Sequence, residues 1–147
     1  MTIVAFVVEC FWEGGNVLRN HTGFAAETEL LVEKILACAL AVHRELGPGF
    51  LESIYQRALC LELEAQGLPF EREKPLVVMY RGQGIPGQRV DLLAGGVVIV
   101  EVKAVTALEP VHLAQVLSYL KTTGLRVGLL LNFREALLRN GIRRVVL

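Results

Sequence analysis

The run Val97-Val98-Ile99-Val100-Glu101-Val102-Lys103 limits the fold more than any other stretch of the chain. Side chains of a strand alternate between two faces. Val97, Ile99, Glu101 and Lys103 share one face, and Val98, Val100 and Val102 share the other. Both faces are largely apolar, so the strand belongs inside a sheet that is covered on both sides. Two charges stand in that run, and burying an ion costs several kcal/mol unless something compensates. Upstream, Arg89-Val90-Asp91 brings a second carboxylate next to Leu92 and Leu93.

A divalent cation held by Asp91 and Glu101, with Lys103 beside it, would compensate and would also supply chemistry. The turn between the strands decides whether that can happen. A two-residue turn at Gly95-Gly96 pairs Asp91 with Val100 and sends Glu101 to the opposite face. A three-residue loop, or a bulge, sets Asp91 across from Glu101 with Cα atoms ~5 Å apart. We expect the odd loop or the bulge, which glycine makes easy. Oxygen ligands then suit Mg²⁺ or Mn²⁺. Lys103 would orient or deprotonate a water, or steady a negative transition state. The competing reading is a surface hairpin with an ordinary Glu–Lys pair.

The surrounding periods build the frame. From Ala26 to Glu45, Leu30, Leu31, Ile35, Cys38, Ala39 and Val42 recur at helical spacing, and Gly47-Pro48-Gly49 ends the helix. A second helix runs from near Phe50 to about Gln66, with Ile54, Leu59 and Leu63 inward. The period then changes to that of strands: Glu73–Tyr80, Gln88–Ala94 and Val97–Lys103, with turns at Arg81-Gly82-Gln83-Gly84 and Gly95-Gly96. Pro110 opens a third helix that reaches Thr123, and Gly124 stops it. Arg126–Asn132 is an internal strand, Arg134–Arg139 a helical turn, and Ile142–Leu147 a last strand. This order predicts a mixed sheet with helices packed on it.

The 147 residues, 53% hydrophobic, suffice for one domain with a filled core. Residues 1–25 differ from the rest and read as an N-terminal extension of uncertain structure, with 26–147 as the folded domain. Gly14-Gly15-Asn16 interrupts the extension, which fits an added strand, a swapped arm or a translated upstream segment. Thr2–Trp12 is apolar but lacks the basic flank and cleavage site of a signal peptide. No apolar run reaches transmembrane length, so no membrane partner is expected. Cys10, Cys38 and Cys60 lack metal spacing; Cys38 and Cys60 read as small core residues, and a reducing, cytoplasmic setting fits them. Fifteen Lys+Arg balance fifteen Asp+Glu, so phosphate affinity must come from local clustering or from metal. Arg126, Arg134, Arg139, Arg143 and Arg144 make the C-terminal end the basic one.

Four further groups carry two readings each. Glu52, in the first turn of the second helix, is by itself a partner of the helix dipole. Tyr55 lies three residues on, where core packing is the ordinary role. Gln115 and Tyr119, with His112 a turn before, form a polar stripe that either lines a phosphate path or faces solvent. His43 either caps carbonyls at the end of the first helix or joins a site.

Taken together, these motifs resemble a known family. Gly49-Phe50-Leu51-Glu52-Ser53-Ile54-Tyr55 is similar to the signature of the GxxExxY proteins. Val42-His43-Arg44-Glu45-Leu46-Gly47-Pro48-Gly49, Arg89-Val90-Asp91-Leu92, Val100-Glu101-Val102-Lys103-Ala104 and Gln115-Val116-Leu117-Ser118-Tyr119-Leu120 resemble that family too. It is placed in the PD-(D/E)xK nuclease superfamily, and Val90 stands where that pattern has its proline. The resemblance implies a restriction-endonuclease-like α/β fold: an αβββαβ core, a mixed sheet flanked by helices, with an additional N-terminal helix. It implies a Mg²⁺- or Mn²⁺-dependent nuclease with DNA as the leading substrate. Asp91, Glu101, the Val102 carbonyl and Glu52 would then hold metal, with Glu52 acting through water. Lys103 would be the catalytic lysine, and Gln115, Tyr119, Tyr55 and His43 would orient substrate. The alternatives are a catalytically silent nuclease-like module that binds nucleic acid or protein, and a structural partner in a larger complex. A homodimer stays open.

Overall fold

The computed structural model describes residues 24–147, together with the backbone of three short N-terminal strands, β1 (Phe6–Glu9), β2 (Trp12–Glu13) and β3 (Asn16–Val17). The readings made at Cys10 and at Gly14-Gly15 lie outside the described residues. The expected first helix is α1 (Ala26–Leu46), which buries Val32, Ile35, Leu36, Cys38, Ala39 and Val42. Gly47 follows at φ 69°, and Pro48 cannot continue the helix. The second is α2 (Glu52–Ala65), which buries Tyr55, Gln56, Leu59, Cys60 and Leu63. Ile35, Cys38, Ala39, Val42, Leu59 and Leu63 lie inward as expected, whereas Leu30 and Ile54, near the start of each stripe, face outward. Tyr55 takes the inward place beside Ile54 because its ring stacks on Phe133, 4.7 Å between centroids.

Six further elements complete the chain. They are β4 (Phe70–Tyr80), β5 (Gln83–Ala94), β6 (Val98–Lys103), α3 (Pro110–Thr123), β7 (Val127–Asn132) and β8 (Ile142–Val146), with a 3-10 turn at Leu138–Gly141 before β8. The main sheet has the order β1-β8-β7-β6-β5-β4, and β2 and β3 form a separate pair. β6 and β7 are parallel, as their connection through α3 permits; all other neighbours are antiparallel. β6 therefore lies inside the sheet, as its two apolar faces require.

Two clusters of buried side chains fill the two sides. Val98, Val100 and Val102 of β6 pack with Leu129, Leu131 and the stripes of α1 and α2. Ile99 packs on the other side with Leu130, Val145 and Val116, Tyr119 and Leu120 of α3. The result is the mixed sheet between helices expected of a restriction-endonuclease-like fold. Cys38 and Cys60 are buried in the first cluster, as expected of core residues. Among the described residues no helix is long and apolar enough to cross a membrane.

α3 lies so close to β7 that a Cβ on Gly128 would come within 2.5 Å of Val116 Cγ1. Gly128→Val should lower unfolding stability by about 1–3 kcal/mol through overpacking, read in urea denaturation. Unchanged stability would mean that the helix is free to move off the sheet.

Candidate active site

The chain reverses between β5 and β6 through three residues, Gly95, Gly96 and Val97, closed by Val97 N–H to Ala94 C=O at 3.1 Å. Ala94 pairs with Val98, Leu93 with Ile99 and Leu92 with Val100. That register sets Asp91 across from Glu101, which is the odd loop expected from the alternation. The ladder stops there. The Val102 N–H, past the last strand pair, donates to Asp91 Oδ2 at 2.9 Å. The Asp91 carboxylate thus sits in the fork where β5 leaves β6.

Glu101 is 3% exposed, and its Oε1 lies 3.4 Å from Lys103 Nζ. Its Oε2 is buried with no hydrogen-bond partner. Burial first, and then the Asp91 charge, push the Glu101 carboxyl up from 4.5 to about 7, against the pull of Lys103. Burial also raises Asp91, opposed by the Val102 N–H and Lys103. Glu52, at the start of α2, faces the same group: burial raises its carboxyl, Lys103 and the Ala104 amide lower it, and Asp91 raises it. From α3, Gln115 Nε2 donates to Tyr119 Oη at 2.8 Å. Burial and the Glu101 charge push the Tyr119 hydroxyl up to about 12, so it remains a neutral donor. These side chains line one cleft of about 410 Å³. Asp91, Glu101, Lys103, Glu52, Gln115 and Tyr119, drawn from four elements, therefore meet in one place.

Residues 29–145 match the family model of the PD-(D/E)XK nuclease superfamily. The chain belongs to that superfamily. No curated protein and no solved structure matches it.

Not every candidate reaches this cleft. Tyr55 is fully buried; its hydroxyl donates to Gly47 C=O and accepts the Phe50 N–H, so it braces the turn before Glu52 and cannot touch substrate. His43 bonds through Nε2 to Glu135 C=O at 2.8 Å, beside a separate hollow next to Arg139. His112 belongs to the α3 cap, where its Nδ1 accepts the Glu109 N–H. Tyr119 is 2% exposed, which removes the solvated-face reading for that residue.

Other residues in or behind the cleft carried no sequence signal. Glu73 stands opposite Asp91 on β4 at φ 50°, lines the cleft and raises the Asp91 carboxyl further. Gln88 Nε2 reaches Ser118 Oγ of α3 at 3.2 Å. Buried Asn132 clamps the segment after Lys103: its Oδ1 accepts the Val105 N–H at 3.0 Å and its Nδ2 donates to Val105 C=O at 2.9 Å.

The donor set suits a small hard cation. Two opposed carboxylates, one with a partnerless buried oxygen, are what such an ion would neutralise. Among the described residues no three His, Cys, Asp or Glu side chains form a group that could hold a metal ion, so the two strand acids are not joined by a third such ligand.

Two outcomes follow. A carboxyl raised from 4.5 to about 7 stabilises the folded chain most fully below 4.5 and loses that contribution as pH rises through 7. In EDTA the melting temperature should fall from pH 5 to pH 8, and Glu101→Gln should flatten the fall; parallel curves would contradict the burial argument. Tyr55→Phe leaves the Phe50 amide and Gly47 carbonyl without their shared partner and should lower stability by about 1–3 kcal/mol. Unchanged urea midpoints would remove the brace from the account.

Proposed function

We propose that the chain is a Mg²⁺- or Mn²⁺-dependent nuclease of the GxxExxY type that hydrolyses phosphodiester bonds in DNA. One observation carries the reading: Asp91 and Glu101 face each other in a strand fork, with a buried oxygen lacking a partner and Lys103 3.4 Å from the other oxygen. Asp91, Glu101 and the Val102 carbonyl would hold the cation, and Glu52 would reach it through water. When bound, the ion supplies positive charge to the scissile phosphate and lowers the barrier to attack by water.

The chain's own groups do the rest. Glu101 must release its proton before it can accept a cation, so affinity should rise with pH through about 7. Lys103, beside that carboxylate, orients the attacking water and steadies charge on the phosphate oxygens. Tyr119, neutral and tied to Gln115, presents a hydroxyl to the same cleft. Buried, reduced Cys38 and Cys60 accord with a cytoplasmic setting.

Nicking of supercoiled plasmid by the wild type should require Mg²⁺ or Mn²⁺ and vanish in EDTA. Lys103→Ala should lose on the order of 10²–10⁴ in rate while keeping its fold. Equal cleavage by both proteins would reject the lysine's role. Mn²⁺ binding without cleavage of any nucleic acid would favour the silent binding module.

A further inference from the structure

The β5–β6 ladder covers only Leu92 to Ala94 of β5. β4 and β5 continue together well past it, through Leu76↔Gln88 and Val78↔Ile85 to Tyr80↔Gln83. Beyond the sheet they form a two-stranded ribbon, a structure that is marginal in water without a partner. It nevertheless shows Val77, Met79, Tyr80 and Ile85 to solvent at 53, 64, 65 and 50% exposure. Its charge is one-sided. From Lys74 to Val90 the sequence holds Lys74, Arg81 and Arg89 and no acid, in a chain whose charges balance as a whole. Lys74 pairs with Glu71 at 2.7 Å. Arg81 and Arg89 make no ion pair among the described residues. The root of the ribbon, Gly87-Gln88-Arg89, forms a wall of the cleft that holds Asp91 and Glu101.

We propose that this ribbon is an arm that lies in a groove of duplex nucleic acid, flanking the phosphate that enters the cleft. The inference rests on the nuclease reading and names its substrate class. The major groove of B-DNA, about 12 Å wide, admits a two-stranded ribbon. Arg89 at the root pairs with Pro75, six residues before Arg81 at the tip, so the two are separated by about 20 Å of strand and meet phosphates several base pairs apart. The apolar side chains between them face base edges and sugars, which hold no charge to desolvate. A second copy of the chain is a poor occupant, because its unpaired arginines would face the same unpaired arginines. A single strand is a poor occupant too: strand-binding surfaces stack bases on successive aromatic rings, and the ribbon has one, Tyr80.

The test is fluorescence anisotropy of the full chain in EDTA, with a short labelled duplex and its single strand, over a salt series. The wild type should prefer the duplex. Arg81→Glu should weaken duplex binding about tenfold or more and reduce the salt slope by about one, and Arg81→Lys should restore most of it. The double variant Met79→Ser/Tyr80→Ser should also weaken duplex binding, with the salt slope kept. Circular dichroism and Mn²⁺ calorimetry should be unchanged in every variant. Wild-type affinity in both Arg81→Glu and the double variant, a preference for the single strand, or a loss of oligomeric mass in the variants would overturn the arm. Should the wild type bind no Mn²⁺ yet need the ribbon for the duplex, the arm stands and the cation-dependent reading falls.

Discussion

Asp91 Oδ2 accepts the amide of Val102 just past the point where strand pairing between β5 and β6 stops. That bond turns a parting of two strands into a site. It holds one carboxylate in the fork, next to Glu101, which the alternation of β6 has already carried into the same space. Neither acid would stay there on its own merits, since burial disfavours the charge of both. The penalty is several kcal/mol per ion. Each aliphatic side chain buried beside them returns about 1.5–3 kcal/mol. Val98, Ile99, Val100 and Val102, all fully buried, are therefore enough to keep the strand in place around the charge.

Several supporting groups bond to backbone. Asn132, from the parallel neighbour strand, clamps the residues that follow Lys103, and the Phe133 N–H adds a bond to the Lys103 carbonyl at 2.9 Å. Tyr55 ties the turn at Gly47 to the start of α2, which sets where Glu52 begins. Tyr119 is anchored in the α3 core cluster while its hydroxyl reaches Gln115 and the cleft. Every layer of the fold thus places one part of the site, and the sheet alone would place only the two acids and the lysine.

The parts of this arrangement that depend on short-range periods were legible in the sequence. Alternation in β6 and glycines at the turn led to the register of Asp91 and Glu101, because a one-residue slip would move every side chain to the wrong face. Glu52 was different: its place at a helix start has an ordinary electrostatic reading, and only its likeness to a family motif pointed to the cleft. Tyr55 and His43 were drawn toward the site by the same motif, yet their rings settle under the loop and beside Glu135. Glu73, Gln88 and Asn132 were not legible. Glu73 adopts a left-handed conformation in mid-strand with no glycine to announce it, and the other two act across 30 and 27 residues of chain. Contacts at that range leave no trace in local pattern.

Anomalous diffraction from a crystal of the full chain soaked in Mn²⁺ bears most directly on the central claim. A single strong peak should lie in the fork, about 2.0–2.3 Å from oxygens of both Asp91 and Glu101, with Lys103 in contact with Glu101 or the ion's water. A peak elsewhere, or an empty fork at saturating Mn²⁺ and a pH above 7, would show that these acids are buried for some other reason.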